Sequence, residues 1–344
     1  MVKLIAYYLP QFHEFAENNQ WWGKGFTEWT CVKRANPISP DHHIKKPHPD
    51  IGYYCLEDKW IRQLQGDMAK KYGVYGFCYY HYWFGGTVLM QKTLEMMLED
   101  GLPDHPFCFS WANEPWTCKM NGGDGETIQP ANYGEEEEWL AHFNYLLRFF
   151  KRKNYILVDN KPLMVIYRVS QIPQYQERFQ FWNEEARKHG FDGVHIVMTI
   201  GNFHYDDYTP MLPHVDACVE FYPNWLGKQE MITQWKNNVA HYDMDQTYQH
   251  ILQQKKIHDV QYRGMMVGFD SWPRSGVKSN IFFNGSPEKY GHALRKQIAR
   301  SDSEFIFINA WNEWGEGCAL EPEEKYGYKY LEETKTALTA SIFI

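Results

Sequence analysis

The sequence predicts an α/β fold, a (β/α)8 TIM barrel with long βα loops that spans residues 1–344 as one catalytic domain, and three observations predict it. Short apolar runs alternate with longer amphipathic stretches from end to end, the pattern of βα units around a parallel sheet. The length of 344 residues exceeds the roughly 250 of a plain barrel but stays within the roughly 200 to 400 of barrels with inserted loops. The first apolar run passes from Leu9 into Pro10-Gln-Phe-His13 without a glycine-rich turn. That speaks against the rival doubly wound sheet, whose phosphate-binding fingerprint follows its first strand.

Eight strands are expected in chain order: Lys3 to Leu9, Val74 to Tyr80, Pro106 to Trp111, Pro162 to Tyr167, Val194 to Ile200, Val215 to Tyr222, Gly264 to Phe269 and Phe305 to Ala310. Helical patterns lie between them at Leu56 to Tyr72, Val88 to Glu99, Gly134 to Arg152, Gln174 to His189, Asp245 to Lys256 and Pro287 to Arg300, with a last one at Lys325 to Thr339. Trp139, Phe143, Leu146, Leu147 and Phe150 recur at spacings of three and four, a one-sided stripe suited to lying on a barrel. The acidic run Glu135 to Glu138 opens that helix, where negative charge complements the macrodipole. The connection Gly201 to Pro213 leaves room for only a short helix or none. Three loops are long: residues 10–56, crowded with Trp, His, Pro and Gly; Asn113 to Tyr133; and Tyr222 to Met244, which carries Trp225 and Trp235. Long loops in compact domains are functional or disordered, and the first is too aromatic for disorder.

Composition narrows the partners. Aromatic residues make up 17% of the chain, more rings than a core needs, and a flat ring face stacks on the apolar face of a pyranose. The net charge of -8 argues against nucleic acid, which calls for clustered Lys and Arg. An oligo- or polysaccharide substrate fits better. The seven cysteines, at 31, 55, 78, 108, 118, 218 and 318, are odd in number and form no CxxC pair. Together with a first segment that reads as a strand rather than a signal peptide, they imply a reducing, cytoplasmic compartment. No run approaches the roughly 20 apolar residues of a membrane span, and nothing specifies an oligomeric state. His42, His43 and His48 share a loop with Asp41 and Asp50, but the interleaved Pro40, Pro47 and Pro49 make it an irregular surface loop. No metal and no cofactor is expected.

Barrel enzymes build their sites at the C-terminal ends of the strands. There the expected strands deliver Tyr8; Tyr80, His81 and Trp83; Trp111, Asn113 and Glu114; Arg168; Glu220 and Tyr222; Asp270 and Arg274; and Trp311, Asn312, Glu313, Trp314 and Glu316, while the first loop adds Trp22, Glu28 and Trp29. All are candidates for binding substrate. Glu313 and Glu316 are the catalytic candidates. Glycosidic cleavage needs one carboxylic acid for the leaving oxygen and a second carboxylate as base or nucleophile. Gly315 and Gly317 let the backbone turn sharply enough to bring both into one pocket, where Trp311 and Trp314 would raise one pKa by desolvation. Two alternatives stand beside this pairing. One glutamate could instead cap a helix or pair with Arg168 or Arg274, and Asn113-Glu114 or Glu28 could supply the acid.

Five segments carry a resemblance: Ala6-Tyr-Tyr-Leu-Pro-Gln-Phe-His13, Trp22-Gly-Lys-Gly-Phe-Thr-Glu-Trp29, Gly76-Phe-Cys-Tyr-Tyr-His-Tyr-Trp83, Trp111-Ala-Asn-Glu-Pro-Trp116 and Ala310-Trp-Asn-Glu-Trp-Gly-Glu-Gly317. Together they resemble the WbsX-type family, labelled glycosyltransferase or lipopolysaccharide-biosynthesis protein and related to glycoside hydrolase family 99, the endo-α-mannosidases and α-mannanases. The resemblance implies that Glu313 is the general base that deprotonates the sugar's 2-hydroxyl. That oxygen then attacks its own anomeric carbon to give a 1,2-anhydro sugar. Glu316 would protonate the leaving group and later activate water, with net retention. The pattern departs at Gly315, where family 99 enzymes carry His, which puts a mannose donor in question. Three functions therefore compete: a retaining glycoside hydrolase acting on α-linked, mannose-like glycans; a glycosyltransferase of lipopolysaccharide, O-antigen or capsule assembly; and a non-catalytic glycan-binding barrel. The transferase lacks a visible nucleotide motif, Asp206-Asp207 being the nearest to a metal-binding acidic pair.

Overall fold

The structure is a computed structural model that describes residues 2–117, 126–201, 207–226, 231–236 and 239–340. Cys118 and Asp206 lie outside the described residues. Eight parallel strands close into a barrel: β1 (Lys3–Tyr8), β2 (Val74–Phe84), β3 (Phe107–Trp111), β4 (Lys161–Ile166), β5 (His195–Ile200), β6 (Ala217–Glu220), β7 (Gln261–Met266) and β8 (Phe305–Asn309). Each pairs with its neighbours in chain order, and β1 hydrogen-bonds both β2 and β8, so the sheet has no free edge. The alternation in the sequence is thus that of a closed barrel, with helices between strands covering its outside.

Among the described residues, seven helices of ten residues or more follow the amphipathic stretches: α1 (Lys59–Lys71), α2 (Gln91–Asp100), α3 (Glu136–Phe150), α4 (Tyr175–Lys188), α5 (Met244–Gln253), α6 (Pro287–Arg300) and α7 (Lys329–Ala340). Glu136, Glu137 and Glu138 fill the first turn of α3, and its stripe Trp139, Phe143, Leu146, Leu147 and Phe150 is buried. Between β5 and β6 the described residues contain one 3-10 turn, Leu212–His214, in keeping with the short connection expected there. Among the described residues no helix is long and apolar enough to cross a membrane.

Among the strands, the second and the seventh differ most from the expected boundaries. β2 runs on to Phe84 and folds back onto Thr87–Leu89 in an antiparallel hairpin, carrying its side chains beyond the barrel mouth. β7 starts at Gln261 rather than Gly264 because its polar start is satisfied from within: Gln261 and Arg263 both donate to the buried Glu220 carboxylate, at 2.8 and 2.7 Å. A polar triplet inside a strand hides the apolar signal that sequence reading relies on. A small sheet of Gln234–Lys236, Val239–Asp243 and Asn280–Phe283, assembled from the loops after β6 and β7, stands over the rim. The first loop contributes two short helices, Ala16–Trp22 and Glu28–Arg34, the second opened by a capping box at Thr27.

Candidate active site

Past the end of β8 the chain makes a tight turn, Trp314–Glu316 in 3-10 form, stopped by Gly317 at φ 59°. Two anchors fix its position. Asn312 accepts from the Leu9 N–H at 2.7 Å and donates to its carbonyl at 3.1 Å, tying the turn to the end of β1. Behind it lies Glu321, fully buried, whose carboxylate accepts from Trp311 (3.0 Å), Trp314 (2.7 Å), Gln65 (2.7 Å) and Tyr54 (2.8 Å). Burial raises the Glu321 carboxyl to about 7, against the pull of those donors.

Glu313 and Glu316 leave this turn into one cavity of about 470 Å³ at the barrel mouth, within the range of roughly 300 to 1,000 Å³ common for small-molecule sites. Trp22, Tyr80, Tyr82, Trp116 and Tyr167 also line it, as do Glu114 and Arg274. Arg274, on the short helix Trp272–Ser275, organises the acids. Its Nη1 donates to Glu316 Oε1 at 2.7 Å, and its Nη2 to Glu313 Oε2 at 3.2 Å and Glu28 Oε1 at 2.7 Å. Three carboxylates thus share one guanidinium. Burial pushes the Glu313 carboxyl up to about 8, with Arg274 pulling it down and the neighbouring Glu316 and Glu28 adding to the rise.

Gly315 explains how Glu28 fits. A Cβ at position 315 would sit 1.8 Å from Glu28 Oε1, so the space a side chain would fill is taken by the Glu28 carboxylate. Glu28 itself is fully buried, and among the described residues its second oxygen has no hydrogen-bond partner.

Other expected site residues lie elsewhere. His81 meets His142 of α3 at 2.9 Å, Trp83 donates to Glu138 of the same helix, and Trp111 donates to the Trp83 carbonyl at 3.1 Å. Tyr8 donates to Gln65 at 2.6 Å, and Trp29 to the Tyr54 carbonyl at 2.7 Å. Asn113 bonds the backbone of Arg168 in both directions at 2.8 Å, and Arg168 pairs with Glu114. Glu220 is held by Arg263 and Gln261, with the Tyr222 hydroxyl 3.3 Å away. Trp311 and Trp314 are spent on Glu321. Asp270 faces away from the glutamates and accepts from His42 at 2.7 Å. Among the described residues no group of three or more His, Cys, Asp or Glu converges as a metal site. Conversely, Tyr82, Trp116 and Tyr167 line the cavity without having been selected from the sequence, although each stands within or just past a strand that was.

The family described as Glycosyltransferase WbsX matches residues 4–334. The chain belongs to the WbsX glycosyltransferase family. Two relatives, each named "Uncharacterized protein WxcX" and from Xanthomonas campestris pv. campestris strains B100 and ATCC 33913, are 32% identical over 348 residues, covering 98% of this chain and 49% of theirs. The chain therefore spans about half the length of the curated relatives it matches. Among solved structures it is similar in fold to the GH99 endo-alpha-mannosidase from Bacteroides thetaiotaomicron, with a TM-score of 0.58 and 15% identity over 99% of this chain and 98% of that one. It is likewise similar to a glycoside hydrolase-like protein, with a TM-score of 0.60 and 14% identity over 98% and 93% of the two chains. At such identities these two likenesses describe the barrel of this WbsX-family chain and not its chemistry.

Proposed function

We propose that this WbsX-family chain is a carbohydrate-active enzyme that breaks a glycosidic bond of an oligo- or polysaccharide with retention, using Glu313 and Glu316. One observation carries the reading: both carboxylates open into the same ring-lined cavity and share Arg274, while burial raises one of them to about 8. Paired carboxyl groups whose environments differ are what acid and base work at one bond requires.

The steps follow the mechanism the resemblance implies. Glu313 takes the proton of the sugar's 2-hydroxyl as that oxygen attacks the anomeric carbon. Glu316 gives its proton to the departing oxygen, and a 1,2-anhydro sugar remains. An incoming hydroxyl then attacks the anomeric carbon and loses its proton to Glu316, while the released 2-oxygen recovers its proton from Glu313. Two inversions give net retention. A base held near 8 is better matched to a weakly acidic hydroxyl than an ordinary carboxylate. The pair must hold one proton between them: in the empty site burial favours Glu313 as its holder, and the reaction starts with it on Glu316. Tyr80, Tyr82 and Trp22 offer faces for the sugar ring.

Water as the incoming hydroxyl makes the enzyme a hydrolase, the reading we favour, on an α-linked and mannose-like glycan such as the solved neighbour's name indicates. A sugar hydroxyl makes it a transferase of surface-polysaccharide assembly, the second reading, which the family's description favours. A glycan-binding barrel without chemistry would have no need of a proton-sharing pair. Glu316→Gln is expected to lower release of reducing ends, or sugar transfer, by roughly 10² to 10⁴-fold, the usual worth of a general acid. Unchanged turnover in that variant removes the proposal.

A further inference from the structure

Behind the wall formed by Phe269–Asp270 and Gly317 lies a second cavity of about 340 Å³ that glycosidic cleavage does not use. It is roofed by the small sheet over the rim and floored by the first loop, the segment whose histidines and prolines stood out in the sequence. For a chain of net charge -8, its lining is unusual: Lys45, Lys236, Lys325, His42, His43 and His241 face it, against Asp41 and Asp270.

The two acids are outnumbered by the three lysines of the lining. Asp270 is committed to His42 at 2.7 Å; His42 Nδ1 accepts from the Ile38 N–H at 3.1 Å, so its Nε2 carries the proton donated to Asp270. His43 is turned to Glu323 at 3.3 Å. Lys45 is the deepest of the lysines. Its ammonium lies 4.7 Å from the centre of the Tyr330 ring and donates to the Ala319 carbonyl at 3.4 Å, and among the described residues it forms no ion pair. Burial lowers its pKa, outweighing the nearby Glu323 and Asp270 carboxylates that raise it. Gly268 leaves the floor open at this point: a Cβ there would stand 3.8 Å from Lys45 Nζ and 3.9 Å from the Gly317 carbonyl. Glu323 and Asp270 are near enough to favour the charged ammonium, but among the described residues neither pairs with it directly, so an anion that enters the cavity can make a contact that no carboxylate makes. Several cationic donors converging on a cavity of this size suit an anion with several oxygens and more than one charge, which a phosphoryl group supplies and a lone carboxylate does not.

We infer that this second cavity binds the phosphate or diphosphate group of a ligand, with Lys45 as its central contact and Lys236 and Lys325 at its mouth. The phosphoryl group belongs to a nucleoside diphosphate or to a simple sugar phosphate or diphosphate. Because Asp270 N–H donates to the Glu316 carbonyl at 2.6 Å, a ligand drawn to this cavity sits directly against the turn that carries the catalytic candidates.

Titration calorimetry of the full chain at low salt tests this with inorganic pyrophosphate, a nucleoside diphosphate and a hexose 1-phosphate as probes. Pyrophosphate is expected to bind, and to bind roughly tenfold or more weakly to Lys45→Met, the loss expected for one charge-assisted contact. Lys236→Glu with Lys325→Glu, both exposed and outside the core, is expected to weaken it as well, and added salt to weaken it further. Tighter binding of the nucleoside diphosphate than of pyrophosphate identifies a nucleotide ligand; equal or weaker binding identifies the simpler phosphoryl compound. No heat with any probe, or affinities unchanged in both sets of variants, overturns the inference. Glu316→Gln keeps pyrophosphate binding, so failure here and failure of the glycosidic proposal are told apart.

Discussion

Glu313 shows how one side chain would tie stability to the proposed catalysis. Its folded-state value of about 8 lies above the carboxyl's ordinary 4.5, so the folded chain holds the proton more tightly than the unfolded chain does. The stability this gives is fully present below about 4.5 and is lost as pH rises through about 8. Glu313→Gln cannot ionise, and its melting temperature is expected to exceed that of the wild type at pH 9 while the gap narrows at pH 5; the reverse order contradicts the burial argument. The pair needs one proton to act, so kcat/KM is expected to fall on the alkaline side with a midpoint near 8, a value that belongs to the coupled pair. Position 315 is equally sharp. Gly315→Ala forces a methyl into the Glu28 carboxylate 1.8 Å away, and overpacking of this kind costs about 1–3 kcal/mol; chemical denaturation reads the loss, with activity falling too as Arg274 shifts. The glutamate pair and the missing side chain at 315 were both legible in the sequence. That Glu28 fills the gap was not, since 287 residues of chain separate the two positions and only the fold brings them together.

At the scale of the element, the strand's period of two separates residues that the sequence offered together. On β2, Tyr80 and Tyr82 face the cavity, while His81 and Trp83 face α3. Successive side chains of a strand point to opposite faces, so a run such as Tyr79-Tyr-His-Tyr-Trp83 can send only every second ring to the barrel mouth. Sequence reading took Tyr80, His81 and Trp83 as one group of site candidates and did not select Tyr82; the strand, expected to end at Tyr80, continues to Phe84 and keeps the alternation. The same parity turns Tyr8 to Gln65 on α1. Two substitutions separate the faces. Trp83→Phe leaves the half-buried Glu138 without its indole donor and is expected to cost about 1–3 kcal/mol of stability with kcat/KM unchanged. Tyr82→Phe is expected to leave stability within about 0.5 kcal/mol and to lower kcat/KM. Urea denaturation beside initial-rate kinetics distinguishes them, and the opposite pattern would show the faces wrongly assigned.

For the whole molecule, closure was readable because eight apolar runs and the absent glycine-rich turn depend only on local composition. The rim was less so. The sheet of Gln234–Lys236, Val239–Asp243 and Asn280–Phe283 joins loops from two βα units, and its pairing is long-range. It roofs the basic one of two cavities at the mouth, which stands back to back with the acidic, ring-lined one across Phe269–Asp270 and Glu316–Gly317. A barrel accommodates this because its strands fix the C-terminal ends while the loops remain free to vary. The central claim is that the acidic cavity performs glycosidic chemistry at the Glu313 and Glu316 pair. Its most direct test is a crystal structure of the chain soaked with iminosugars of several ring configurations. The account predicts one such ring seated between the two carboxylates, its nitrogen within hydrogen-bond distance of Glu313 or Glu316 and a face against Tyr80 or Tyr82. An iminosugar bound away from both glutamates, with the pair still closed on Arg274, would contradict it.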